Sequence, residues 1–175
     1  MKARKVLLVA LMGFVAICGF GLAASDTTQV QAAILPYITL TVPGSITDLT
    51  LSPGDDNTQV LNGLAVTSNA PWHIFVQSAK NTPDPGNDYY GHFWSPSAYS
   101  AGHGAFVDGH GPGFMKDAVV LNADTDVELS DDPAPLASGV ALGTTPVPFT
   151  MKQTAAWDDM AANDYRIVLE FTASN

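Results

Sequence analysis

Short runs in which apolar and polar residues alternate strictly, each closed by proline, glycine or asparagine, dominate this sequence and leave few folds open to it. In Ile38-Thr39-Leu40-Thr41-Val42 apolar residues and threonines take turns. In Trp72-His73-Ile74-Phe75-Val76 the residues Trp72, Ile74 and Val76 share a face. Tyr165, Ile167, Leu169 and Phe171 oppose Arg166, Val168 and Glu170 in the same way, and Val60, Leu64 and Val66 are expected to point to one side. A period of two with one wet face marks antiparallel strands. Turn chemistry bounds the runs at Pro43-Gly44-Ser45, Ser52-Pro53-Gly54-Asp55-Asp56-Asn57, Asn69-Ala70-Pro71, Pro133-Ala134-Pro135 and Pro146-Val147-Pro148.

The pattern predicts an all-β, immunoglobulin-like antiparallel β-sandwich with one long insertion. Strands are expected at 29–35, 37–42, 46–51, 59–68, 72–78, 118–122, 126–129, 138–142, 147–153 and 164–173. Thr154 to Ala162 is expected to form one helical turn. The predicted core is Leu40, Val42, Leu51, Leu64, Val66, Trp72, Ile74, Val76, Val120, Phe149, Tyr165, Ile167, Leu169 and Phe171.

The chain opens with Lys2, Arg4 and Lys5, continues as an uncharged apolar run from Val6 to Ala24, and exits through Leu22-Ala23-Ala24 into polar Ser25-Asp26-Thr27-Thr28. That order predicts a secretory signal peptide over 1–24 and a single exported domain over 25–175. Removing the leader leaves four basic residues against 17 acids, a net charge of −13. Nucleic acid needs clustered Lys and Arg, so it is excluded as a default partner, and an anionic lipid surface is disfavoured. Membrane contact is expected only through the signal peptide. The only cysteine, Cys18, lies in the leader, so the mature domain has no disulfide, thiol nucleophile or thiolate metal site.

Residues 79–117 break the alternation and form the insertion, too long for a hairpin loop. His92, His103 and His110, with Asp108 nearby, are candidate metal ligands by residue type, although their spacing matches no established motif. Tyr89, Tyr90, Phe93, Trp94 and Tyr99 crowd the same stretch and are candidate stacking groups for a ligand, packing within the insertion being the competing expectation. Asp124, Asp126 and Glu128 fall on one face of a predicted strand and are candidate calcium ligands, against a solvated acidic face. No cofactor other than calcium is indicated. There is no Gly-x-Ser-x-Gly elbow and no glycine-rich phosphate loop after a strand, so catalysis is not expected.

The string Leu64-Ala65-Val66-Thr67-Ser68-Asn69-Ala70-Pro71-Trp72-His73-Ile74-Phe75-Val76 resembles the strand, Ser-Asn-x-x-Trp, strand hairpin of small secreted surface proteins of methanogenic archaea. Phe149 to Gln153, followed by Asp164 to Ala173, resembles their ending. Such proteins are in turn similar to WxL-type surface domains and, more loosely, to the β-sandwich subunits of archaeal bundling pili and TasA-like fibres. The resemblance covers 29–78 and 147–173, and implies a cell-surface structural protein without a catalytic residue.

Two functions therefore stand as expectations. In one, the chain is a subunit of an extracellular filament or matrix, partnered by further copies or by other surface proteins. Gln29, Val30, Ala32 and Ile34 would then belong to a donated strand, with Leu35-Pro36 as its hinge. No sorting tail is recognised near Asn175, which makes noncovalent assembly the expected means of retention. In the other, the chain is a monomeric binding module that uses 79–117 to hold a glycan, metal or protein.

Overall fold

Trp72, Ile74, Val76 and Ser78 point inward from one strand while the residues between them face outward or sit at the layer's edge, and the fold is built around that face. The computed structural model describes residues 29, 31–47, 49–79, 90–100, 113–140 and 142–175. Ile34–Asn175 form one unit. Of the preceding unit, Met1–Ala33, only Gln29 and residues 31–33 are among the described residues. The predicted leader lies outside them.

The described chain is almost entirely β. Its strands are β1 (Ile38–Thr41), β2 (Asp56–Leu61), β3 (Ala65–Ser68), β4 (Trp72–Ala79), β5 (His92–Trp94), β6 (Phe114–Ala118), β7 (Val120–Asn122), β8 (Asp126–Glu128), β9 (Ala134–Gly139), β10 (Gly143–Pro146), β11 (Phe149–Thr154) and β12 (Val168–Ser174). One short helix, α1 (Pro96–Ser100), follows β5. No helix among the described residues is long and apolar enough to cross a membrane.

The strands pair antiparallel in the orders β1-β3-β10, β2-β11-β7-β8, β12-β4-β9 and β5-β6. The first two sheets share two chain stretches, 56–68 and 143–154. Val147 N–H donates to the carbonyl of Leu64 at 2.8 Å where one ladder passes into the other, so together they act as one bent layer. The β12-β4-β9 sheet covers it. Phe149 of one layer meets Phe171 of the other with ring centroids 5.6 Å apart, and Leu64, Val66, Ile74, Leu121 and Leu136 fill the space between. This is the expected sandwich.

Several local expectations are corrected. The run 59–68 is two strands, because Gly63 adopts a left-handed φ of +100° that breaks extended pairing. Val60 consequently faces solvent and Leu61 takes the buried place. The predicted strand at 46–51 is absent: 42–47, 49 and 50 carry no ladder. Pro43 and Pro53 bracket this stretch and lack the N–H that pairing needs. Val42, placed in the core by alternation, is exposed, while Leu49 and Leu51 pack against the core edge. The predicted strand at 138–142 is formed only at Ser138 and Gly139, which end β9, while Val140 and Leu142 belong to no strand. The connector between β9 and β10 is bounded by Gly139, which lies against the Trp72 ring, and Gly143, at φ +93°. Val119 and Leu121 are buried in preference to Val120. Thr154 to Ala162 contains turns and no helix.

The described part of the insertion is ordered by the sandwich itself. β5 and β6 form a hairpin-like pair, and Trp94 and Arg166 exchange backbone hydrogen bonds of 3.0 and 2.9 Å, which ties the pair to the chain leading into β12.

Candidate assembly interface

The N-terminal part of the domain meets the sandwich at the turn between β3 and β4. Ser68 Oγ accepts from Ala70 N–H at 3.1 Å and donates to the Ala70 carbonyl at 2.8 Å, which fixes the turn. Asn69 uses it as a base. Its Nδ2 donates to the Leu35 carbonyl at 3.0 Å and its Oδ1 accepts from Tyr37 N–H at 2.7 Å. Its own N–H donates to the Tyr37 carbonyl at 3.2 Å. Pro36 is thus bridged on both sides by one side chain. Ahead of it, among the described residues, Gln29, Ala32 and Ile34 are exposed and belong to no strand, and Val30 lies outside the described residues. The strand expected at 29–35 is not formed at its described positions. Ile34 is 90% and Leu35 78% exposed, which leaves two large aliphatic groups in water.

A groove of about 1120 Å³ opens in the same domain. It is lined by Leu49 and Leu51 of the strandless stretch and by Ile167, Leu169 and Phe171. Phe93, Met115 and Met151 lie at its base. β12 is the end strand of its sheet, and among the described residues no strand pairs with its outer edge. The alternation that makes Ile167, Leu169 and Phe171 face inward therefore produces an apolar surface that is only half-buried.

Polar groups frame this groove. Asp159 accepts from the N–H groups of Lys116 at 2.9 Å and Ala156 at 2.7 Å, and burial pushes its carboxyl above the ordinary value. Asp164 accepts from Ser95 Oγ, from Ser97 Oγ at 2.8 Å and from Ser97 N–H at 2.9 Å. The Ser95 hydroxyl, foremost among these, holds its carboxyl below the ordinary value. The phenol of Tyr165 donates to the Met160 carbonyl at 2.7 Å and is pushed up to about 12, chiefly by burial and then by the charges of Asp159 and Asp164. Arg166 lies 4.8 Å over the Trp94 ring, a cation–π contact. These interactions hold the loop 155–166 in place beside the groove.

The other candidate residues are placed as follows. His92 is half-buried with Nδ1 2.9 Å from the Met115 carbonyl, and His103, Asp108 and His110 lie outside the described residues. Among the described residues no group of three His, Cys, Asp or Glu converges as a metal site. Asp126 and Glu128 share the outer face of β8, while Asp124 precedes that strand. Asp124 Oδ2 accepts from Ser138 N–H at 2.8 Å, and Asp126 Oδ1 accepts from Asn122 Nδ2 at 2.6 Å. Both carboxylates are thus used in tying loops. Phe93 and Trp94 are 6% and 1% exposed and pack as buried residues of β5, with Phe93 also lining the groove. Tyr90 is half-buried, Tyr89 lies outside the described residues, and the side chain of Tyr99 in α1 is likewise outside the description.

The sequence pattern missed three exposed groups. Val140 and Leu142, 79% and 70% exposed, were hidden in a predicted strand, and Trp157, 83% exposed, in a predicted helical turn. Their signal was the glycine or turn residue beside each, Gly139, Gly143 and Asp158-Asp159. No family model matches this chain, and no curated protein matches it.

Proposed function

We propose that this chain is an exported structural protein of the cell surface, a subunit of an extracellular filament or matrix that assembles by strand donation. The donor is the segment from Gln29 to Leu35, and the acceptor is the groove of the next subunit, where the segment pairs with the free edge of β12. The observation that carries this reading is the coexistence of an exposed aliphatic pair, Ile34-Leu35, and an open apolar groove in one domain. Seven extended residues reach about 23 Å, enough to lie along a strand the length of β12. Main-chain hydrogen bonds would give affinity and alternate side chains the register. The resemblance to archaeal surface and fibre subunits points the same way. The alternative of a binding module built on the insertion gains no support from Phe93 and Trp94, which are buried.

Negative-stain microscopy and size-exclusion chromatography of the processed protein test the reading. Filaments, and their loss when 25–35 is deleted, are the expected result. A processed protein that stays monomeric at high concentration, with and without calcium, overturns it.

A further inference from the structure

The strand-donation reading leaves two exposed apolar groups unused, and they adjoin opposite ends of the chain run 143–154 that carries β10 and β11. Gly143 pairs with Ser68 at the outer end of the β10–β3 ladder, and Thr154 pairs with Asp56 at the outer end of the β11–β2 ladder.

At the first end the β9–β10 connector stands beside the β3–β4 turn. Its feet are Gly139, paired with Trp72, and Gly143, paired with Ser68. It carries Val140 and Leu142, and the turn carries, through Asn69, Leu35 and Tyr37, the latter 57% exposed. In a chain of formal net charge −10, residues 35–37, 69–71 and 139–143 contain no charged side chain. An uncharged apolar end on so acidic a surface is a contact surface in waiting.

At the second end Ala155 is bonded to the turn before β2. Gly54 N–H donates to its carbonyl at 2.7 Å, and its N–H donates to the Asp55 carbonyl at 3.3 Å. Asn57 braces that turn through Ser52, Asp55 and Gln153. Trp157 then lies against Gly54 so closely that a Cβ there would come within 2.6 Å of Nε1. One side of the indole is thereby held, while the ring remains 83% exposed. Ala155, Ala156, Asp159 and Met160 border the groove, so Trp157 stands beside it.

We infer that the uncharged end carrying Tyr37, Val140 and Leu142 docks on the Trp157 end of the next copy of this chain, as a head-to-tail contact. The inference rests on the strand-donation reading and adds to it a second interface. The donor segment leaves the domain at Leu35-Pro36, so whichever groove it fills, the uncharged end of its own subunit is drawn up to that groove. A braced tryptophan there meets aliphatic side chains, the kind of anchor that dominates interface energies. A contact between two different surfaces leaves each copy an unused end and propagates, into a ring where its rotation closes and into an open filament where it does not.

Two arms test this in the processed protein, which has no cysteine of its own. First, the critical concentration for filament formation is compared between wild type, the double variant Val140→Lys/Leu142→Lys and Trp157→Ser. All these side chains are exposed, so melting temperature should hold while critical concentration rises about tenfold or more. Second, a Leu142→Cys copy is mixed with an Asp158→Cys copy under oxidising conditions. Disulfide dimers should form in the mixture well above the level in either variant alone. Filaments from all variants at the wild-type concentration, or cross-links only between like copies, overturn the head-to-tail contact and leave strand donation standing. A wild type without filaments overturns both.

Discussion

Asn69 holds the carbonyl of Leu35 with its amide nitrogen at 3.0 Å, while its amide oxygen receives the N–H of Tyr37, so one side chain spans a proline. Pro36 offers no N–H of its own, and the ordinary backbone pairing of a strand stops there. The clamp therefore decides where the free segment begins. Asn69→Ala removes both side-chain bonds, which are exposed to solvent and should contribute about 1 kcal/mol together. The expected outcome is a small fall in melting temperature with faster protease cleavage around 35–37. Unchanged cleavage would show that the turn holds the chain without Asn69.

Trp72 and Gly139 test the packing of the covering sheet. The ring of Trp72 is 3% exposed and occupies the space where a Gly139 Cβ would sit, 2.4 Å from Cζ2. Trp72→Ala should cost about 3–5 kcal/mol in chemical denaturation. Gly139→Ala forces the ring or the β9 backbone to move and should cost about 1–3 kcal/mol. The two changes act on one contact, so the double variant should be more stable than the sum of the singles implies. Strict additivity would place the two effects in separate parts of the fold.

Two carboxylates beside the groove give opposite pH dependence. The hydroxyl of Ser95 holds the Asp164 carboxyl low. Its contribution to stability is therefore present above the ordinary carboxylate pKa and lost as pH falls through the lowered folded value. Burial raises Asp159. Its native form binds a proton more readily than the unfolded chain, so its contribution falls as pH rises from the ordinary value through the raised one. Urea melts across about pH 3 to 6 should show Ser95→Ala losing stability at the neutral end and flattening the acid fall. Asp159→Asn should instead remove the opposing slope. Identical pH profiles for wild type and both variants would refute these assignments.

The sandwich was legible because its central strand obeys the simplest rule. In β4, Trp72, Ile74 and Val76 are inward as alternation demands, and the paired partners inherit the same facing. The groove was not legible, since it arises from a missing ladder. Ile46, Leu49 and Leu51 look like strand residues, yet the bracketing prolines deny them a partner, and apolar content alone does not register that. Phe93 and Trp94 misled for a related reason: aromatic richness does not tell a lining from a core. The pairing of Trp94 with Phe114 and Arg166 joins residues far apart in sequence. Val140, Leu142 and Trp157 were concealed by neighbours whose glycines and aspartates form turns, and turns expose what alternation would bury.

Ile34 carries the most direct prediction about assembly. In the isolated subunit its side chain is 90% exposed, so Ile34→Asp should change the subunit's stability by less than about 0.5 kcal/mol. In a donated strand the same side chain would lie in a neighbour's groove among Ile167, Leu169 and Met151. A carboxylate placed there without a partner is strongly unfavourable. The variant should therefore melt like wild type yet fail to form filaments. It retains an intact groove, so it should still accept a donor strand from a wild-type copy and then have nothing to offer the next. Added in small proportion to wild type, it should cap growing ends and shorten filaments, as negative-stain length distributions would record. A variant that lowers the melting temperature and leaves filament length untouched would mean that the segment belongs to its own sandwich and that the groove is filled by something else.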